Sequence, residues 1–152
     1  MGKVLATMYE NRKQALVLVI DDEPEVLGSV AAALNRAGYI CHCSQTAEAA
    51  IEFARSRAPD LIISDINLAG VSGLELCERI KEDPLLKHVP VMFLSGAQIP
   101  DIIRRSHAVG GTYYLRKPFD PDVLAELVDK ALWMPHLVDD HLAKRRVAAA
   151  AS

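Results

Sequence analysis

The 152-residue chain is predicted to fold as a doubly wound α/β sandwich, a five-stranded parallel sheet with helices on both faces. Three observations carry this prediction. Short runs of branched apolar residues recur along the chain, several of them end on charged or small polar residues, and the segments between them have helical periodicity. Continuous apolar runs mark strands buried on both faces, and their alternation with helices marks a parallel sheet built from right-handed crossovers.

The first strand is Leu16-Val17-Leu18-Val19-Ile20, which closes on two adjacent carboxylates, Asp21 and Asp22. A first helix runs from Glu23 to Arg36, with Pro24 in its first turn, Val26, Leu27, Val30, Ala33 and Leu34 on one face, and Gly38 as its stop. Tyr39 to Cys43 is a brief second strand. Ser44 or Thr46 caps the second helix, which carries Ala47, Ala50, Ile51 and Ala54 and ends at Ala58-Pro59-Asp60.

Leu61-Ile62-Ile63-Ser64 is the third strand and ends on Asp65. Ile66 to Gly73 reads as a flexible loop, and Leu74, Leu76, Cys77 and Ile80 follow at helical spacing, with Asp83-Pro84 terminating that third helix. The fourth strand, Val89 to Leu94, ends on Ser95-Gly96. A fourth helix starts at Pro100 or Asp101, passes through Ile102, Ile103 and Ala108, and stops at Gly110-Gly111. The fifth strand, Thr112-Tyr113-Tyr114-Leu115, ends on Arg116-Lys117-Pro118, and Asp120-Pro121 opens a fifth helix through Val123, Leu124, Leu127 and Leu132.

Five strands and five helices in this alternation give a flavodoxin-like (βα)5 sandwich with strand order 2-1-3-4-5. Residues 15–134 form this domain, residues 1–14 an N-terminal extension, and residues 135–152 a short tail in which Leu137, Val138, His141, Leu142 and Arg145 have the spacing of one more helix. That tail is too short for an independent DNA-binding domain.

Parallel strands present their carboxyl ends on one side, so Asp21, Asp22, Asp65, Ser95 and Lys117 converge on one crevice, where ligands of open α/β sheets bind. Two unit charges about 4 Å apart repel by about 4 kcal/mol at an effective dielectric near 20, so the acidic pair calls for a cation.

Composition narrows the classes. A hydrophobic fraction of 51% with 24% charged residues suits a soluble globular domain, and no apolar stretch reaches the roughly 20 residues that span a bilayer. Met1 to Gln14 lacks the apolar core of a secretory signal, which points to the cytoplasm. A net charge of −3 argues against nonspecific polyanion binding by the whole domain, with Lys144-Arg145-Arg146 read as a solvated helix end, and no direct nucleic-acid binding is expected. Three cysteines, Cys41, Cys43 and Cys77, make a disulfide framework improbable, and strand alternation points His42 away from the thiols of Cys41 and Cys43, leaving these as buried or half-buried strand residues.

Taken together, Asp21-Asp22, Asp65, Ser95-Gly96 and Lys117-Pro118-Phe119, in this order and at these gaps, resemble the receiver domain of two-component response regulators over Leu16 to Trp133. The resemblance implies that Asp65 is the phosphoacceptor, fed by a histidine kinase or a histidine phosphotransfer protein. It implies a Mg²⁺ cofactor held by the carboxylates of Asp22 and Asp65, the backbone carbonyl of Asn67, and Asp21 through water; Mg²⁺ suits hard oxygen ligands. It further implies that Lys117 and Ser95 bind phosphoryl oxygens, that Ser95 and Tyr114 form the switch, and that the Lys117-Pro118 peptide is cis. Tyr113 cannot share the switch, because adjacent strand residues face opposite ways.

The chain departs from the family pattern at Ala69, where many members carry proline, and has a small Ala97 at a position that, with Asn67, modulates dephosphorylation. The implied output is a phosphorylation-dependent change in affinity for a downstream protein, with a homodimer among the outcomes. The resemblance implies that the domain promotes its own phosphorylation and dephosphorylation and is a switch, not a turnover enzyme.

Other classes fit less well. An aspartyl-nucleophile phosphatase needs a second carboxylate two residues after the nucleophile, where Asn67 stands. A nucleotide-binding fold needs a glycine-rich loop after the first strand, where Asp22-Glu23-Pro24 stands. The remaining alternative is a phosphorylation-independent interaction module on the same scaffold.

Overall fold

A computed structural model describes residues 15–96 and 112–133. Its main sheet contains β1 (Leu16–Ile20), β2 (Ile40–Ser44), β3 (Leu61–Asp65), β6 (Val91–Ser95) and β7 (Thr112–Arg116), all parallel, in the order β2-β1-β3-β6-β7. Counted among themselves, these five strands have the predicted order 2-1-3-4-5. The described helices are α1 (Pro24–Arg36), α2 (Ala47–Arg57), α3 (Gly73–Ile80) and α4 (Pro121–Trp133). The expected fourth helix between residues 100 and 111, Ala97, the extension 1–14 and the tail 135–152 lie outside the described residues.

Strand alternation divides the interior into two cores, one on each face of the sheet. Leu18, Ile20, Ile62, Val91 and Phe93 face α2 and α3, burying Ala50, Ile51, Ala54, Leu74, Cys77 and Ile80. Val17, Val19, Leu61, Ile63, Met92 and Leu94 face α1 and α4, burying Leu27, Val30, Ala33, Leu34, Leu124, Val128 and Ala131. The apolar stripes predicted for α1, α2 and α3 coincide with their buried faces, except that Val26 is half-buried. In α4, Val123 is 42% exposed, and Val128 and Ala131 complete the buried stripe instead.

Local signals explain the helix ends. Pro24 sits in the first turn of α1. Thr46, not Ser44, caps α2, its hydroxyl accepting from Ala49 N at 3.2 Å. Ala58 ends α2 in the left-handed conformation with φ 47°. Helix α3 stops at Ile80, earlier than the Asp83-Pro84 signal, and Pro84 instead opens a short 3-10 turn, Pro84–Leu86, capped by Asp83.

Two further expectations are corrected. The segment after Asp65 is not an open loop: Asn67–Leu68 (β4) and Val71–Ser72 (β5) pair as a small antiparallel hairpin. Gly70 turns it at φ +74°, and buried Leu68 anchors it to the core. Strand β2 is an edge strand, so Cys43 is exposed rather than buried, while Cys41 is half-buried. His42 points to the other face, stacked on Phe53 with ring centroids 3.7 Å apart.

Candidate functional site

Four strand ends build the site. The Asp21 side chain lies directly after β1 and is fully buried. Asp65 closes β3 at 9% exposure, and Asp22 beside them is exposed. One carboxylate oxygen from each of the three lies within 4.8 Å of the others, the sole such acidic, histidine or cysteine cluster among the described residues. The donor set is all hard oxygen and carries excess negative charge, which fits a small divalent cation.

Lys117, just past β7, brings a positive charge to the same point. Its Nζ donates to Asp21 Oδ2 at 2.9 Å and to Asp65 Oδ2 at 3.1 Å. Its position is set by the main chain: Lys117 N donates to the Ser95 carbonyl at 2.8 Å, so the ends of β6 and β7 are tied together. The Lys117–Pro118 peptide that follows is cis.

Burial pushes the Asp21 carboxyl above its ordinary pKa, and the Glu23 N–H and the Lys117 ammonium offset this only in part. Burial lowers the Lys117 pKa, but its hydrogen bonds to Asp21 and Asp65 outweigh that effect, and the ammonium ends above its ordinary value. Lys117 is therefore a permanent cation between two carboxylates. It meets part of the demand for positive charge that the acidic pair creates, and the exposed Asp22 lacks an ion pair to it.

Backbone turns after β1 and β3 orient the two carboxylates. Asp65 Oδ1 accepts from Asn67 N at 3.2 Å, and Asp21 Oδ1 accepts from Glu23 N at 2.9 Å, so each carboxylate is oriented by the backbone two residues on. Both bonds leave the Oδ2 atoms toward Lys117. Asn67 itself is exposed at the start of the hairpin.

Ser95 ends β6 half-buried, opposite Arg116 in register. Tyr114 is half-buried behind it, opposite Phe93 in register with ring centroids 6.2 Å apart. It belongs to the α2/α3 side of the sheet, whereas Tyr113 packs on the α1/α4 side. Burial raises the Tyr114 phenol above its ordinary pKa.

Two residues of this site escaped the sequence reading. A Cβ on Gly73 would sit 1.9 Å from the Asp65 carbonyl oxygen, so only glycine allows α3 to approach β3 this closely. Its glycine was legible as a loop end but not as a contact. Ser64, fully buried, donates its hydroxyl to the Asp65 carbonyl at 2.9 Å. A serine inside an apolar run was the available signal.

Comparison with known proteins agrees with this geometry. Residues 17–129 match the family described as "Response regulator receiver domain". The phosphate regulon transcriptional regulatory protein PhoB of Pseudomonas aeruginosa is 36% identical over 105 residues, covering 69% of this chain and 46% of PhoB. Response regulator Rre1 of Synechocystis is 32% identical, covering 76% of this chain and 51% of its own length, and NtrC of Escherichia coli K12 is 31% identical, covering 79% and 25%. The chain thus spans about half or less of these curated relatives. Among solved structures, the chemotaxis protein CheY4 of Vibrio cholerae superposes with a TM-score of 0.75 at 29% identity, covering 78% of this chain and 99% of CheY4. The BeF3-activated DrrB receiver domain superposes at 0.66 with 26% identity, covering 78% and 97%. With five parallel strands in the same order and an acidic crevice at their carboxyl ends, the chain belongs to the receiver domains of two-component response regulators.

Proposed function

We propose that Asp65 is the phosphoacceptor of this receiver and takes its phosphoryl group from a phosphohistidine on a histidine kinase or phosphotransfer protein. The observation that carries the reading is the placement of the Asp65 carboxylate, almost buried, between a lysine ammonium and two further carboxylates. An Asp65 oxygen attacks phosphorus in line, the new O–P bond forms, and the P–N bond to the donor imidazole breaks. Lys117 then moves from the Asp65 carboxylate to a phosphoryl oxygen, and the Ser95 hydroxyl donates to another.

Mg²⁺ would be held by the carboxylates of Asp22 and Asp65 and the Asn67 carbonyl, with Asp21 acting through water. When bound, it neutralises the charge that builds on the transferring phosphoryl group. The chain's own contribution is orientation. Backbone N–H groups hold the Asp21 and Asp65 carboxylates, and Lys117 supplies a fixed positive charge.

Movement of Ser95 toward the phosphoryl group opens space for Tyr114 to turn inward behind it, and the surface near β7 changes its affinity for a downstream protein. The domain promotes its own phosphorylation and dephosphorylation and acts as a switch in the cytoplasm. Among the described residues no helix is long and apolar enough to cross a membrane. PhoB and NtrC are named as transcriptional and DNA-binding regulators. We place no nucleic-acid contact on the receiver residues themselves, and we assign the domain to residues 15–134. A phosphorylation-independent interaction module finds no support in these observations.

Intact mass after incubation with Mg²⁺ and acetyl phosphate tests the reading. A single phosphoryl adduct is expected for the native chain and none for Asp65→Asn or after chelation. An adduct that persists in Asp65→Asn overturns the assignment.

A further inference from the structure

The peptide bond between Asp65 and Ile66 is bolted at both ends. Its N–H, on Ile66, donates to the Leu94 carbonyl at 3.1 Å. Its C=O, on Asp65, accepts from the Ser64 hydroxyl at 2.9 Å. This peptide separates the Asp65 carboxylate from Asn67, so its orientation sets where both groups face. A rotation of this one plane would displace an acceptor oxygen and the Asn67 carbonyl at once.

Ser64 is the unusual member of that clamp. It is fully buried, on the face of β3 that meets α3, and strand alternation directs it away from the crevice into which Asp65 projects. It cannot touch a phosphoryl group. A buried hydroxyl costs free energy unless it is hydrogen-bonded, and apolar residues occupy the other buried positions of β3 before Asp65. The Cys77 thiol on α3, itself fully buried, also interacts with this hydroxyl. On the same side Gly73 N donates to the Ile66 carbonyl at 2.7 Å, which closes the turn from outside.

We infer that Ser64 is a positioning residue, which orients the Asp65–Ile66 peptide so that the Asp65 carboxylate and the Asn67 carbonyl face one cation. The inference rests on the reading of Asp65 and Asn67 given above. It adds a polar support on the far face of the sheet, reached through the backbone rather than through the crevice. Removal of an outer support of a metal site typically weakens metal affinity by about tenfold or more.

The test compares Ser64→Ala, Ser64→Thr and Ser64→Val with the native chain. Mg²⁺ affinity is read by a thermal-shift titration, which needs no phosphoryl transfer, and the rate of adduct formation from acetyl phosphate is read by intact mass. The expected result is a Mg²⁺ half-saturation raised about tenfold in Ser64→Ala, with a slower adduct rate at low Mg²⁺ that recovers as Mg²⁺ is raised. Ser64→Thr, which keeps the hydroxyl, should bind Mg²⁺ more tightly than Ser64→Val, which has the same shape without it. The inference is overturned if Ser64→Ala binds Mg²⁺ as the native chain does, or, should Ser64→Ala not fold, if Thr and Val are equivalent. A native chain that binds Mg²⁺ but acquires no adduct overturns the phosphoacceptor reading while the titration still decides the role of Ser64. A native chain that binds no Mg²⁺ overturns the positioning role.

Discussion

Lys117 and Asp21, 96 positions apart in the chain, form a 2.9 Å ion pair in which the aspartate side chain is fully buried. The pair joins the end of β7 to the end of β1 across the middle of the sheet. Because β3 and β6 lie between those strands, the contact closes the top of the crevice over Asp65.

Breaking that pair from the lysine side leaves two carboxylates facing each other. Lys117→Met is expected to cost about 2–3 kcal/mol of stability in the absence of divalent cations, because a buried charge loses its partner. Urea unfolding measures it. The double variant with Asp21→Asn should recover a large part of the loss, and strict additivity of the two changes would refute the coupling.

Asp21→Asn alone should stabilise the metal-free protein. The carboxyl is raised above its ordinary pKa by burial, so the folded chain holds its proton more tightly than the unfolded chain. Such a group favours folding at low pH and loses that contribution as pH rises through the folded pKa, which leaves the ionised form a cost at pH 7. A gain is expected at pH 7 that shrinks as the pH falls, together with weaker Mg²⁺ binding. A lower melting temperature at pH 7 would contradict it.

Cation binding should raise stability with the logarithm of the Mg²⁺ concentration above the dissociation constant. At 100 times its dissociation constant, Mg²⁺ is expected to add about 2.7 kcal/mol. The increment should fall sharply in Asp22→Asn and Asp65→Asn, read from denaturation with and without Mg²⁺. An undiminished increment in both variants would remove the cluster from consideration as the binding site.

Gly73→Ala forces a methyl against the Asp65 carbonyl and should destabilise by about 2–3 kcal/mol while slowing phosphorylation. Gly70→Ala, at a positive φ with open space around it, should cost about 1 kcal/mol. Equal effects of the two substitutions would show that backbone conformation, not the close approach, governs the site.

Alkaline titration probes the core. Burial pushes the Cys77 thiol up to about 12 from 9.0, so between those values the unfolded chain sheds a proton that the folded chain keeps. Stability should therefore fall above pH 9, by up to about 1.4 kcal/mol per pH unit from this thiol. Cys77→Ala should flatten that slope. At pH 8, a thiol reagent should modify exposed Cys43 well before Cys77, and the reverse order would contradict the burial.

The sheet and the four described helices were legible because apolar runs and helical stripes are local patterns, and the strand-end residues Asp21, Asp65, Ser95 and Lys117 follow from where those runs stop. What escaped was set by neighbours distant in sequence or by chain reversal. Thr46 and not Ser44 caps α2 because Ser44 still belongs to β2. Cys43 is exposed because β2 falls at the sheet edge, a fact of strand order rather than of the Cys-His-Cys pattern. The hairpin after Asp65 looked like loop because two-residue strands have no periodicity to read. Gly73 and Ser64 act through contacts with the Asp65 main chain, which no side-chain pattern announces.

At the opposite end of the sheet, where the strands begin, Tyr39 accepts from Trp133 Nε1 at 2.9 Å and donates a hydrogen bond to Asp129. Trp133 is the only tryptophan of the chain, and it stands at the last described turn of α4. The molecule thus carries its own optical reporter, lodged far from the acidic crevice and tethered to a buried phenol. Any shift in indole emission on loading Asp65 would register strain carried through the full depth of the sheet, without a label or a partner.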